Sequence, residues 1–386
     1  MAKIATTNFG TLALLPVVAR VPLVESLSFL SDSIEHYDGT EQQIQLRSKA
    51  RQQLRYELPV KSSNDPDAFN TIWGAIRDKW AVPVWCDAQY VGNVAANATS
   101  IVCDTVNYDL RANSLAMLFD GCGNWQILET TSITGTAINF STLAKKFRGA
   151  MLIPVRIGFI IGDVGRPING FTGKVTVNFQ VDDTKEFTPD APAQYLSNDI
   201  YYTPGLLEGD PVDTSIKKQQ DLIDFDLGKI DRRSHWKTSK YGRNYRSIMV
   251  TPAERKAFKD FVYRRIGKVR PFWMPTFENN FRVRNTGTVV STLVVNKDSF
   301  IDYAATRTHV AIEAGGVWYP RVISNPTPID SDTMQLTLSS ALNIPANSIS
   351  RVSYLTLHRL DTDSFEINYT GPKVAECAVR ILEIAT

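Results

Sequence analysis

An ordered series of matches between the two halves of the chain constrains its fold more than any other feature. Arg51 to Val60 and Arg243 to Val250 are both strand-like runs, and each precedes a helix. In the first half Asp65-Pro66 supplies an N-cap with proline at the first helical position. Phe69, Ile72, Trp73, Ile76 and Trp80 then fall on one helical face. In the second half Thr251-Pro-Ala-Glu254 is a capping box. Phe258, Phe261, Val262 and Ile266 form its stripe, and Gly267 ends it. An aromatic, proline-bearing strand follows each helix, Ala81 to Trp85 and Arg270 to Pro275, with Pro83 aligned to Pro271 at an offset of 188. Ile101-Val-Cys-Asp104 matches Leu293-Val-Val-Asn296 at 192, Trp125 matches Trp318 at 193, and Pro22 matches Pro211 at 189. Val175 to Val181 closes the first copy as Ala378 to Leu382 closes the second. Offsets that drift slowly along an ordered series are expected of a tandem duplication with small loop insertions.

Strand signals outnumber helix signals within each copy. Met151–Ile161, Gly173–Val181, Thr288–Asn296, Met334–Leu338, Arg351–Leu357 and Phe365–Tyr369 are rich in β-branched and aromatic residues between turn formers. Shorter helical possibilities lie at Leu23–Ile34 and Asp213–Phe225. The expected fold is mainly β: two tandemly duplicated β-sandwich or barrel units, each with one short α-helix and an inserted small β module. The first unit covers 1–190 with its module at about 93–160. The second covers 191–386 with its module at about 284–358. Asp182 to Leu227, with four prolines and little alternation, reads as a linker or arm leading into the second unit.

Motifs that carry chemistry are missing from the sequence. The four cysteines, at 86, 103, 122 and 377, are spread singly, which argues against a disulfide framework or zinc site. His36, His235, His309 and His358 show no i, i+4 pair, and no nucleophile elbow or phosphate loop occurs. Asp361/Asp363 and Asp182/Asp183 read as turn carboxylates. No apolar run reaches the roughly 18 residues of a membrane span, and Leu12 to Ala19 reads as the first strand. No catalytic, cofactor or metal residue is assigned, and the chain is expected not to be an enzyme.

Charge separates the copies where sequence pattern unites them. From 229 to 284 there are 16 Lys and Arg against 4 Asp and Glu, whereas 30–92 has 7 against 9. Arg255, Lys256, Lys259, Arg264, Arg265 and Lys268 lie on or just past the second helix, mostly off its apolar stripe. They are candidate contacts to an acidic neighbour or to phosphates, and the asymmetry implies that the two copies meet different neighbours. Trp125 and Trp318 recur at matching places and are the candidates for a repeated aromatic site. Trp73 and Trp80 are assigned to the core.

Glu25-Ser-Leu-Ser-Phe-Leu-Ser-Asp-Ser-Ile34, Tyr37-Asp-Gly-Thr-Glu41, Arg47-x3-Arg51 and Phe69-x2-Ile-Trp73…Trp80-Ala-Val-Pro-Val-Trp85 resemble the start of tail-tip proteins of long-tailed bacteriophages. Phe258-x2-Phe-Val262…Gly267-Lys-Val-Arg-Pro-Phe-Trp273 is similar to distal tail proteins of gene-transfer agents and related phages. The similarity covers roughly the first hundred residues of each copy. It implies a structural virion protein, assembled in the host cytoplasm, that forms a ring joining the tail tube to hub, fibre or receptor-binding proteins. No cofactor and no membrane are implied, and DNA contact is at most transient in a central channel. The family carries one copy per chain. Two copies make either a hexamer or a trimer with pseudo-sixfold symmetry the expected assembly. The alternative functions are a carbohydrate- or receptor-binding module and, behind it, a glycan hydrolase.

Overall fold

Strands dominate both halves, as the alternating patterns predict. A computed structural model of the chain describes residues 2–60, 68–121, 123–169, 172–203, 212–226, 228–234, 236, 239–371 and 373–384. The Asp65-Pro66 helix start, Cys122, Pro211 and His235 lie outside the described residues.

The first half opens with the hairpin β1 (Ala2–Thr6) and β2 (Gly10–Leu14). Next come β3 (Arg20–Ser28), a second hairpin of β4 (Ser31–Glu35) and β5 (Glu41–Gln45), and β6 (Arg51–Val60). Helix α1 (Ala68–Ala75) leads to β7 (Trp80–Pro83). A module of β8 (Gln89–Val94), β9 (Ser100–Val102), β10 (Leu115–Gly121), β11 (Asn124–Ile133) and β12 (Ala137–Phe140) follows. The half closes with β13 (Phe147–Gly165), β14 (Ile168–Asn169) and β15 (Thr172–Val181).

The second half follows a similar order with additional elements. A hairpin of β16 (Gln194–Tyr195) and β17 (Asn198–Ile200) precedes β18 (Asp213–Lys217). A hairpin of β19 (Gln220–Ile223) and β20 (Asp231–Ser234) leads to β21 (Lys240–Met249), α2 (Pro252–Arg265) and β22 (Phe272–Pro275). Its module holds β23 (Thr288–Val289), β24 (Thr292–Asn296), α3 (Phe300–Tyr303), β25 (His309–Ala314), β26 (Val317–Pro328), β27 (Thr333–Leu338) and β28 (Ile344–Pro345). The strands β29 (Ile349–Leu360), β30 (Ser364–Tyr369) and β31 (Ala375–Glu383) complete it.

Pairing is similar in the two halves, except that β8 pairs with β13 whereas β23 pairs with β28. The ladders β6–β15, β15–β13, β13–β7, β13–β10, β10–β11, β11–β12 and β12–β9 have counterparts in β21–β31, β31–β29, β29–β22, β29–β25, β25–β26, β26–β27 and β27–β24. Antiparallel β3–β6 corresponds to β18–β21, and parallel β2–β7 to β17–β22. Register makes the correspondence residue-specific. Trp125 lies opposite Phe119 and Trp318 opposite Glu313; Ile101 lies opposite Ile138 and Leu293 opposite Leu336. The pairing of Pro83 with Pro271 is corrected: Pro83 lies opposite Val155 and its counterpart Pro275 opposite Leu355. The connection from α2 to β22 is two residues longer than that from α1 to β7.

Four further expectations change. Leu23–Ile34 and Asp213–Phe225 are strands and hairpin, not helices; in β3, Leu23, Glu25 and Leu27 are buried at every second position. Asn198–Ile200 and Asp213–Lys217 are not linker, because β17 and β18 belong to the second half's sheet. The modules are not cleanly inserted, since β13 and β29 each run through both module and sandwich. Trp73 is 75% exposed rather than core, whereas Trp80 is buried in β7 with its indole N–H donating to the Ala75 carbonyl.

One hydrophobic core crosses the boundary near residue 190. Leu27, Leu54, Trp80 and Phe179 of the first half share it with Phe258, Phe272, Phe365 and Ile381 of the second. Each module has its own smaller core, around Leu118 and Phe147 in one and around Phe281 and Phe300 in the other.

Helix α2 carries its sequence signals faithfully. The Thr251 hydroxyl accepts from the Glu254 N–H at 3.2 Å, and the Glu254 carboxylate accepts from the Val250 and Thr251 N–H groups. Ile266 and Gly267 take the left-handed conformation at its end, and a Cβ on Gly267 would press on Phe29 and Asp363. Thr251→Ala is expected to cost about 1 kcal/mol of stability, read as a shift in the urea midpoint at constant slope.

Candidate functional site

The most heavily constructed place in the molecule is the junction between the halves. Strand β3 has β6 on one side and β30 on the other, so the edge strand of the first half completes the sheet of the second. Leu27 lies opposite Phe365 and Ser28 opposite Ser364 in this ladder. Main-chain hydrogen bonds supply the join, and two polar clusters fix it.

The first cluster surrounds Glu25, which is fully buried on β3. Its carboxylate accepts from the Gln52 amide at 2.7 Å and from the Tyr369 hydroxyl at 2.7 Å, and the Lys259 ammonium approaches to 2.9 Å as an ion pair. Asp87 lies 3.9 Å from Lys259 and 3.8 Å from Arg255. Burial opposes the Lys259 charge, but Glu25, Asp87 and Asp109 outweigh it and hold the ammonium above its ordinary pKa. Burial raises the Asp87 carboxyl, with Lys259 pulling the other way. Asp109 is likewise buried, yet Arg156 and Arg111 hold its carboxyl well below the usual range.

The second cluster is built by the β4–β5 hairpin, which reaches onto the second half. Glu41 accepts from Lys240 at 2.6 Å and from the Arg359 Nε at 2.6 Å. Burial pushes Glu41 up, and these two cations more than offset it, so its pKa is lowered. Lys240 also sits 4.5 Å from the centre of the Trp236 ring. Asp363, between β29 and β30, accepts from the Ser31 and Lys268 N–H groups and thereby ties hairpin to helix exit.

The basic helix is therefore not the free positive face expected from charge counting. Arg255, Lys259 and Arg265 are buried, at 3, 4 and 2% exposure. Lys256 binds Asp190 and Asp260, and Arg264 and Arg265 share Asp199 on β17. Lys268 meets the junction through its backbone. The acidic neighbour is this chain's own first half, together with the connecting segment and β17. Trp125 and Trp318 do not form a repeated open site either. Trp125 packs on the Leu115–Ile153 cluster beneath Lys145, and Trp318 stacks on Tyr202 at 5.7 Å with Phe277 edge-on.

Charge sign alone could not name these partners, because Glu25 and Lys259 are far apart in sequence. Glu25 did carry a signal: it sits at i+2 from Leu23 and i−2 from Leu27, on the core-facing side of a strand. A buried carboxylate requires a cation or dense hydrogen bonding. No three His, Cys, Asp or Glu side chains converge as metal ligands among the described residues, and no described helix is long and apolar enough to cross a membrane. No protein-family model matches the sequence, and no curated protein matches it.

Proposed function

We propose that this chain is a structural building block of a bacteriophage tail tip, forming a ring at the distal end of the tail tube that connects to hub, fibre or receptor-binding proteins. We read its two halves as tandem duplicates. The observation that carries this reading is the β3–β30 ladder, in which the first half donates an edge strand to the second. A unit that both donates and accepts an edge is suited to head-to-tail assembly, and a closed ring leaves no edge exposed. The resemblance of residues 25–85 and 258–273 to tail-tip proteins supplies the location. The burial of Arg255, Lys259 and Arg265 against Asp87, Glu25 and Asp199 supports a role of the helix charge in joining the two halves.

Negative-stain images and native mass measurement of the purified full chain test this. Rings with six similar lobes are the expected result. A chain that stays monomeric at the highest soluble concentration would overturn it.

A further inference from the structure

Ladder register gives residues of the paired strands in the first half positional counterparts in the second. Gly158 and His358 lie opposite Trp80 and Phe272, the first residues of β7 and β22, and opposite Val181 and Glu383. Counting along the ladders makes Arg51 the counterpart of Lys240, Phe159 of Arg359, Glu25 of Thr214, Leu27 of Ile216 and Ser28 of Lys217. Ile168 and Tyr369 lie opposite the matching residues Gly173 and Ala375, which makes Val164 the counterpart of Phe365 and Asp163 that of Ser364.

Among the described residues, the main surfaces occupied at the junction have open counterparts elsewhere. Strand β3 is buried between two neighbours, whereas all of β18 is exposed and Ile216 is 61% exposed, against 0% for Leu27. Strand β30 is covered by β3, whereas among the described residues no strand pairs with the outer side of Asp163–Ile168. Lys174 N–H donates to the Pro167 carbonyl, so Pro167 faces β15 and alternation turns the backbone groups of Val164 and Arg166 outward. The β4–β5 hairpin is clamped on Lys240 and Arg359, whereas the β19–β20 hairpin exposes Leu222, Phe225 and Ile230. The counterparts of its seat, Arg51 and Phe159, line an open groove with Ile161. Helix α2 rests on Glu25 and Gln52; their counterparts, Thr214 and Tyr241, line an open cavity with Glu278, Tyr303 and Tyr354. The first-half helix, α1, meanwhile leaves Trp73 in solvent.

From this we infer that the second half of one chain binds the first half of another by the contact that already joins the halves within a chain. Strand β18 adds to the Asp163–Ile168 edge with Ile216 opposite Val164 and Lys217 opposite Asp163. The β19–β20 hairpin enters the Arg51–Phe159 groove of the neighbour, and α1 of the neighbour brings Trp73 into the tyrosine-lined cavity. The internal junction is held by buried ion pairs and the external one by apolar and aromatic contacts with a rim pair. Six similar junctions close on three chains, three within chains and three between. The inference rests on the building-block reading only in requiring that copies associate.

The test uses the full chain. Asp163 and Lys217 fall at a position where antiparallel side chains approach most closely, which suits a disulfide. The Asp163→Cys/Lys217→Cys double variant should cross-link on oxidation into species of two and then three chain masses, and neither single variant should do so. Ile216→Lys, at a site exposed in the single chain, should leave the circular dichroism and melting of the chain unchanged while weakening association by about tenfold or more. Rings without the cross-link, or rings indifferent to Ile216→Lys, would overturn the inference and leave the proposed function standing. Absence of any association overturns both.

Discussion

Replacing Glu25 by alanine is expected to destabilise the chain by about 3–5 kcal/mol, the cost of leaving a buried charge without its partner. The substitution removes the acceptor of the Gln52 amide and the Tyr369 hydroxyl and strips Lys259 of its nearest carboxylate. Asp87, at 3.9 Å from Lys259, does not replace it at hydrogen-bonding distance. Because Glu25, Tyr369 and Lys259 belong to different halves, the loss falls on the junction. Urea unfolding followed by tryptophan fluorescence and by circular dichroism reads it. A second, shallower transition is expected in the variant, as the halves separate before they unfold. The pair Glu25→Gln/Lys259→Met should cost less than the two single changes added, because it removes both charges at once. A Glu25→Ala chain within about 1 kcal/mol of the parent, the range of an exposed pair, would show that the cluster does not hold the junction.

Acidification should weaken the second half through His358. This imidazole is 1% exposed, and its Nδ1–H donates to the Thr356 carbonyl at 3.0 Å. Burial and then the neighbouring Arg243 bring its pKa down to about 3. Arg307 and Glu383 also face this region, and the Arg243 guanidinium is itself pushed down by burial. The unfolded chain protonates the same histidine near its ordinary value of about 6.5. Between these two values the unfolded state binds a proton that the folded state refuses, so stability falls as pH falls, by about 1.4 kcal/mol per unit. The contribution is complete above about pH 6.5 and is lost progressively toward pH 3. At pH 4 the difference in pH sensitivity between the parent and a His358→Asn chain should approach 3 kcal/mol. Parallel stability curves for the two chains would refute it.

Much of the architecture was legible because it is written in strand order and periodicity. Alternation located β15, β24, β27, β29 and β30, and the matches Trp125–Trp318 and Ile101–Leu293 agree with the register of the ladders that hold them. The capping box at Thr251 and the glycine stop at 267 located α2 nearly to the residue. What failed depended on where a side chain points relative to a distant element. Trp73 fits a helical stripe by spacing, yet the eight-residue α1 buries Ile72 and Ala75 and leaves Trp73 exposed. The excess charge on α2 was correctly noticed and wrongly placed, because charge counting does not report that Glu25, Asp87 and Asp199 converge there from elsewhere in the chain. Leu23–Ile34 offered both helix and strand spacings, and the β6 and β30 ladders decided between them.

The β3–β30 ladder has a consequence for synthesis on the ribosome. Glu25 is translated 344 residues before its partner Tyr369. At typical elongation rates that interval is on the order of tens of seconds. Throughout it β3 has no β30 to pair with, and its outer edge stays open until the second half is made.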